Sequence, residues 1–241
     1  MAFASLQPLA DRAALFAAVR QEALVTATDA LGDYRWGVDD APGGRTLTFV
    51  ATADSSRRLV TRAHLVATIA PGPRSLLWAW AHPQGDPDGV AAPLRDYGAQ
   101  HGIADLAQPE VPFPPEADAD LDDWIADAAH QIGAVVAEIT GRAPYYSAPV
   151  GGGTRAVFVL DAPLPPPTVT DAMIVLPRLL QSVHLSDARG AVWDLARLAG
   201  WHLEWSDEAF SGAVVRDASG SATFRFDAQA RITGIDATLA R

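Results

Sequence analysis

The segment Leu76-Leu77-Trp78-Ala79-Trp80-Ala81-His82 is the most distinctive in the chain. Read as a strand, its alternation places Leu76, Trp78, Trp80 and His82 on one face. Two neighbouring indoles and an imidazole can wall an apolar pocket with polar tips, as a small-ligand site requires. The same rings can equally fill the gap between a sheet and a helix. On the preceding strand, Arg62 and His64 share a face with Val60 and Val66. If that face lies beside the tryptophans a pocket results; if opposite, a polar surface. The candidate ligand-binding set is therefore Arg62, His64, Trp78, Trp80 and His82.

Other chemistry is sparse. The six histidines (His64, His82, His101, His130, His184 and His202) include no pair spaced i, i+4, the helical start of many zinc sites. His82, Asp86, Asp88 and His101 form the best local group, but Asp-Pro-Asp-Gly is ordinary turn chemistry. No metal or other cofactor is expected. The absence of Cys excludes a disulfide scaffold, zinc–thiolate ligation and a cysteine nucleophile. A phosphate-binding loop lysine cannot exist in a chain without Lys, and no G-x-G-x-x-G or G-x-S-x-G pattern is present. Gly151-Gly152-Gly153-Thr154 reads as a tight turn. A hydrolase pairing His82 or His64 with Asp86 or Asp88 stays open only as an alternative, because spacing does not show hydrogen-bond reach.

The 241 residues are 49% hydrophobic, enough to order a core, which excludes a disordered protein. The net charge of −11 is unevenly spread. Between Ala81 and His130 there are 11 acidic residues and one base, Arg95, while the rest of the chain is nearly balanced. Such a field repels nucleic-acid phosphates and anionic membranes, so neither is an expected partner. It suits a basic protein partner, or simply a solvated face. No apolar run approaches the ~20 residues that cross a bilayer. The N-terminus does not read as a signal peptide. A soluble cytoplasmic protein is expected.

The elements that must position these residues follow from periodicity. A helix is predicted over Leu9–Leu31, stopped by Gly32. A four-stranded antiparallel meander follows: Tyr34–Val38, Thr46–Ala51, Arg58–Ala70 and Ser75–His82, with a turn across Asp39–Gly44. A short helix spans Leu94–His101, and a proline-rich connector runs from Pro109 to Pro115. The clearest helix covers Leu121–Ile139, with acids crowding its first turns at the positive end of the dipole. A hairpin is predicted from Tyr145–Val150 and Thr154–Leu160. Consecutive prolines at Pro165–Pro167 mark a linker between an N-terminal α+β domain, 1–163, and a C-terminal portion, 168–241. The latter reads as helices Thr170–Val183 and Asp187–Ala199, the second capped by Ser186, then four antiparallel strands. The pattern is α+β.

Leu77-Trp78-Ala79-Trp80-Ala81-His82 resembles the W-x-W-A-N strand of a bacterial group, domain of unknown function 6882. Leu94-Arg95-Asp96-Tyr97-Gly98, Tyr145-Tyr146 and Gly152-Gly153-Thr154 match the same pattern, over about Leu9 to Asp161. His82 stands where the pattern has Asn. The resemblance implies a shared fold and assigns no activity. The expectation is a non-catalytic binding or interaction protein, immunity- or inhibitor-like, using its acidic surface. The alternatives are a small-molecule binder with a tryptophan-lined pocket and an unrecognised hydrolase.

Overall fold

A long helix, α1 (Gln7–Asp29), opens the chain in the computed structural model, which describes residues 2–41, 44–118, 120–183 and 185–239. Leu9, Phe16, Val19 and Leu24 form its buried stripe. There follow β1 (Tyr34–Ala41), β2 (Gly44–Ala51), β3 (Arg58–Ala70), β4 (Ser75–Trp78), α2 (Ala92–His101), the single turn α3 (Ala104–Ala107), β5 (Glu110–Pro112), α4 (Leu121–Thr140), β6 (Tyr145–Pro149) and β7 (Arg155–Asp161). The last elements are α5 (Val169–Leu179), α6 (Ala188–Ala199), β8 (His202–Trp205), β9 (Gly212–Asp217), β10 (Gly220–Phe226) and β11 (Ile232–Leu239). Helices packed with two antiparallel sheets make the chain α+β. Pro42 and Gly43 of the predicted first turn, and His184, lie outside the described residues.

The chain divides into two compact units: Met1–Ala10 with Leu24–Pro163, and Asp11–Ala23 with Leu164–Arg241. The middle of α1 thus groups with the C-terminal portion, while its two ends group with the first.

The first unit holds a seven-stranded sheet. Its organising strand is β3, thirteen residues long. β7 pairs with it from Arg62 to Ile69. Along its other edge two partners succeed one another: β2 from Arg58 to Arg62, then β4 from Ala67 to Ala70. The sheet is therefore more than the expected meander, because β7 inserts beside β3 and β6 extends it. The proline-rich connector is not wholly irregular either, since β5 pairs with β4 inside it.

α4 packs on β7, β3 and β6. Its Ile125, Ile132, Val135 and Val136 are buried, each worth about 1.5–3 kcal/mol. The Asp120 side chain caps the helix by accepting from Asp123 N–H, and Gly141 ends it in the left-handed conformation. The turn between β6 and β7 uses Gly151, Gly152 and Gly153, all with positive φ.

The second unit packs α5, α6 and residues of α1 with the sheet β11-β10-β9-β8. Asp187, not Ser186, caps α6, accepting from Arg189 and Gly190 N–H. The Ser186 hydroxyl bonds Asp11 instead. Within this unit Asp194 is fully buried and accepts from Arg12 Nε at 2.8 Å and Arg197 Nε at 2.7 Å. α5 ends two residues beyond Pro177, four short of the sequence expectation.

Candidate functional site

The strand that carries Trp78 ends there. Ala81 N–H bonds the Trp78 carbonyl, His82 N–H that of Ala79, and Gly85 N–H that of His82, so the chain turns in successive i to i+3 steps. Trp78, Trp80 and His82 therefore do not share a strand face, and the sequence expectation is corrected on this point. Trp78 is fully buried between layers, with its Nε1–H donated to the Asp105 carbonyl at 2.8 Å. Trp80 is half-buried, with the Arg95 guanidinium over its ring at 5.8 Å and its Nε1 buried without a partner among the described residues. His82 accepts Gln84 N–H on Nδ1 at 3.0 Å. Lost hydration, and then the charge of Arg45, hold the His82 pKa below its usual value.

Gly85 makes the turn possible. A Cβ there would sit 1.8 Å from the Ala79 carbonyl oxygen, so only glycine allows the two backbones to meet.

Arg62 and His64 lie elsewhere, on β3 where its partners change. The β2 pairs stop at Arg62 and the β4 pairs begin at Ala67, leaving Ala63, His64 and Leu65 without a paired strand on that edge among the described residues. A bulge falls at the same place. Val66 is the extra residue: it is buried, and its carbonyl accepts from Ala79 N–H at 2.8 Å. Val66 thus does not continue the Val60–Arg62–His64 face. The gap opens into a cleft of about 290 Å³, walled by residues 62–65, by Asp40, Gly44 and Arg45 from the β1–β2 end, and by the loop of residues 84–90. None of Trp78, Trp80 and His82 lines it.

The cleft is polar, and its charges are mostly engaged. Arg45 Nε donates to Asp40 at 2.7 Å, with its guanidinium over Phe158 at 5.7 Å. Asp86 accepts the Asp88 N–H at 3.0 Å, which is the turn chemistry read from Asp-Pro-Asp-Gly. His64 Nε2 meets Asp161 Oδ2 at 2.8 Å, and Arg142 donates to the other Asp161 oxygen at 3.2 Å. The side chain of Arg62, exposed, makes no hydrogen bond or ion pair among the described residues. The carboxylate beside His64 is therefore Asp161, neither Asp86 nor Asp88. Arg45, Asp40, Asp161 and Arg142 had no signal in sequence spacing, because the β2–β3 and β3–β7 registers bring them in.

Behind the sheet, the His130 ring shares a hydrogen bond with the Tyr145 hydroxyl. Burial raises the Tyr145 pKa and lost hydration lowers that of His130, so this pair is neutral near pH 7. Among the described residues no three His, Asp or Glu side chains come together to hold a metal ion. No described helix is long and apolar enough to cross a membrane.

The acidic stretch is largely displayed. Asp86, Asp88, Asp96, Glu110, Glu116, Asp120, Asp122, Asp123 and Asp127 are all exposed. Arg95 is engaged by its neighbour Asp96.

Residues 7–163 match the model of a family of unknown function, DUF6882, which covers well over half of the chain. The chain belongs to that family. No curated protein and no solved structure matches it.

Proposed function

We propose that this DUF6882 protein is a non-catalytic binding protein, and that the cleft on the open edge of β3 is where it holds a small ligand. The observation that carries this reading is Arg62: a guanidinium without a partner among the described residues, at a cleft whose other charged side chains are engaged. A cleft of about 290 Å³ sits at the small end of ligand sites, which run from roughly 300 to 1,000 Å³. It suits a metabolite-sized molecule, not a nucleotide or cofactor. On this reading the ligand site is at Arg62 and His64, and Trp78 belongs to the core.

The test is a thermal-shift screen of the whole chain against a metabolite library, repeated on Arg62→Gln. A true ligand at 100 times its Kd stabilises by about 2.7 kcal/mol and raises Tm accordingly. The reading predicts hits whose stabilisation Arg62→Gln abolishes. Hits that Arg62→Gln leaves intact place the ligand elsewhere.

A second reading rests on the nine exposed acids between Asp86 and Asp127. Such a face would steer a basic protein partner, with association that weakens steeply with salt. Capture of a basic protein from native lysate at 50 mM but not 500 mM salt supports it (roughly 14 against 4 Å of screening length). Capture of none at low salt removes it.

A further inference from the structure

We infer that the β3 cleft selects a small molecule bearing one carboxylate, seated on Arg62; this rests on the reading of the cleft as the ligand site and narrows its ligand class. Of the ionisable side chains that wall the cleft, Arg45 is matched by Asp40 and His64 by Asp161. Arg62 alone among the cleft's cations has no side-chain partner among the described residues, and the only other charge of the wall without a charged partner is Asp86, which accepts the Asp88 N–H. A guanidinium presents parallel N–H donors in the geometry of a carboxylate's two oxygens, and the charge-assisted pair is roughly twice as strong as a neutral one. Arg62 projects beside Gly44, whose missing Cβ would lie 3.2 Å from Arg62 Nη2. The guanidinium therefore lies against the bare backbone of Gly44, which also lines the cleft.

The same wall sets an upper limit on ligand charge. Asp40 and Asp86 also face the cleft. Each is engaged, by Arg45 and by the Asp88 N–H, yet both keep a negative charge near the seat. A phosphate dianion or a polyphosphate meets that repulsion twice over, whereas a monocarboxylate meets it least. The small volume, on separate grounds, suits a small molecule better than a nucleotide.

The experiment is a titration of the isotopically labelled whole chain, followed by NMR at the Arg62 side chain and the amides of residues 63–65 and 84–86. The probes are sodium acetate, sodium benzoate, inorganic phosphate and the neutral analogue benzamide, with sodium chloride at matched ionic strength. The inference predicts saturable shifts with acetate or benzoate, and phosphate weaker than both. Arg62→Gln should weaken the carboxylate about ten-fold or more, with partial recovery in Arg62→Lys. Shifts that match those of chloride, or that survive unchanged in Arg62→Gln, overturn it. Saturable binding of benzamide with none of benzoate overturns the carboxylate class while leaving the cleft a ligand site. Failure of every probe, together with an empty library screen, removes both.

Discussion

His64 on β3 and Asp161 at the end of β7 meet at 2.8 Å across a sequence separation of 97 residues. The contact is set by strand register: Arg62 lies directly opposite Asp161, and His64 is two residues further along β3. Arg142 holds the other carboxylate oxygen, so one exposed acid ties the β3 face to the start of the β6 hairpin. Because both partners are substantially exposed, solvent screening limits what the cluster adds to stability. Asp161→Asn should lower the unfolding free energy by only about 0.5–1 kcal/mol in urea. A loss of several kcal/mol would show that the cluster is a structural staple and not an exposed partner of His64.

Trp78 should behave as core. Trp78→Ala removes a fully buried indole and its bond to the Asp105 carbonyl, and is expected to cost about 3–5 kcal/mol. Trp80→Ala, at a half-buried ring, should cost clearly less. Urea midpoints of the two variants compare them directly, and equal losses would contradict the packing described.

Gly85 fixes the turn that ends β4 and builds one wall of the cleft. Gly85→Ala forces its methyl into the Ala79 carbonyl, so backbone must move, at an expected cost of about 1–3 kcal/mol or more. Ligand stabilisation measured in the library screen should fall with it. A neutral effect on both would mean the loop closes in some other way.

In the second unit, Asp194→Ala should be strongly destabilising, by about 3–5 kcal/mol. It leaves Arg12 and Arg197 without the buried carboxylate they share. Their side chains are about 40% exposed (44% and 38%), which lets water recover part of that loss and favours the lower figure. Chemical denaturation reads the difference.

The pH dependence carries a defined sign. His82 and His130 both have folded-state pKa values below the ordinary histidine value of about 6.5. As pH falls below that value the unfolded chain takes up protons first, so stability declines until the folded-state pKa values are reached. His130→Gln should flatten the decline that sets in just below about pH 6.5. A wild-type stability that rises across the same window would contradict the assignment.

Much of the fold is legible from local pattern. α4 announces itself through its apolar period, the cap at Asp120 and the stop at Gly141, and β3 spans Arg58–Ala70 as the alternation implies. The strand through Trp80 and His82 misleads, because Ala79–His82 keeps the two-residue period while the backbone turns. What bends it is Gly85 lying against Ala79, a contact that periodicity does not encode. β5 is hidden among prolines, and only β4 beside it makes it a strand. Of the cleft, Arg62 and His64 could be named because they alternate on one strand. Arg45, Asp40 and the His64 partner Asp161 could not, since pairing between strands chooses them. Tryptophan spacing alone left pocket and core both open, and full burial makes Trp78 part of the core.

The most direct test of the binding assignment is a crystal structure of the whole chain soaked or grown with the strongest hit from the library screen. The account predicts density in the gap between β2 and β4, within hydrogen-bond distance of the Arg62 guanidinium and beside Leu65. Ligand density at any other place on the molecule, with the gap filled only by water, would contradict it.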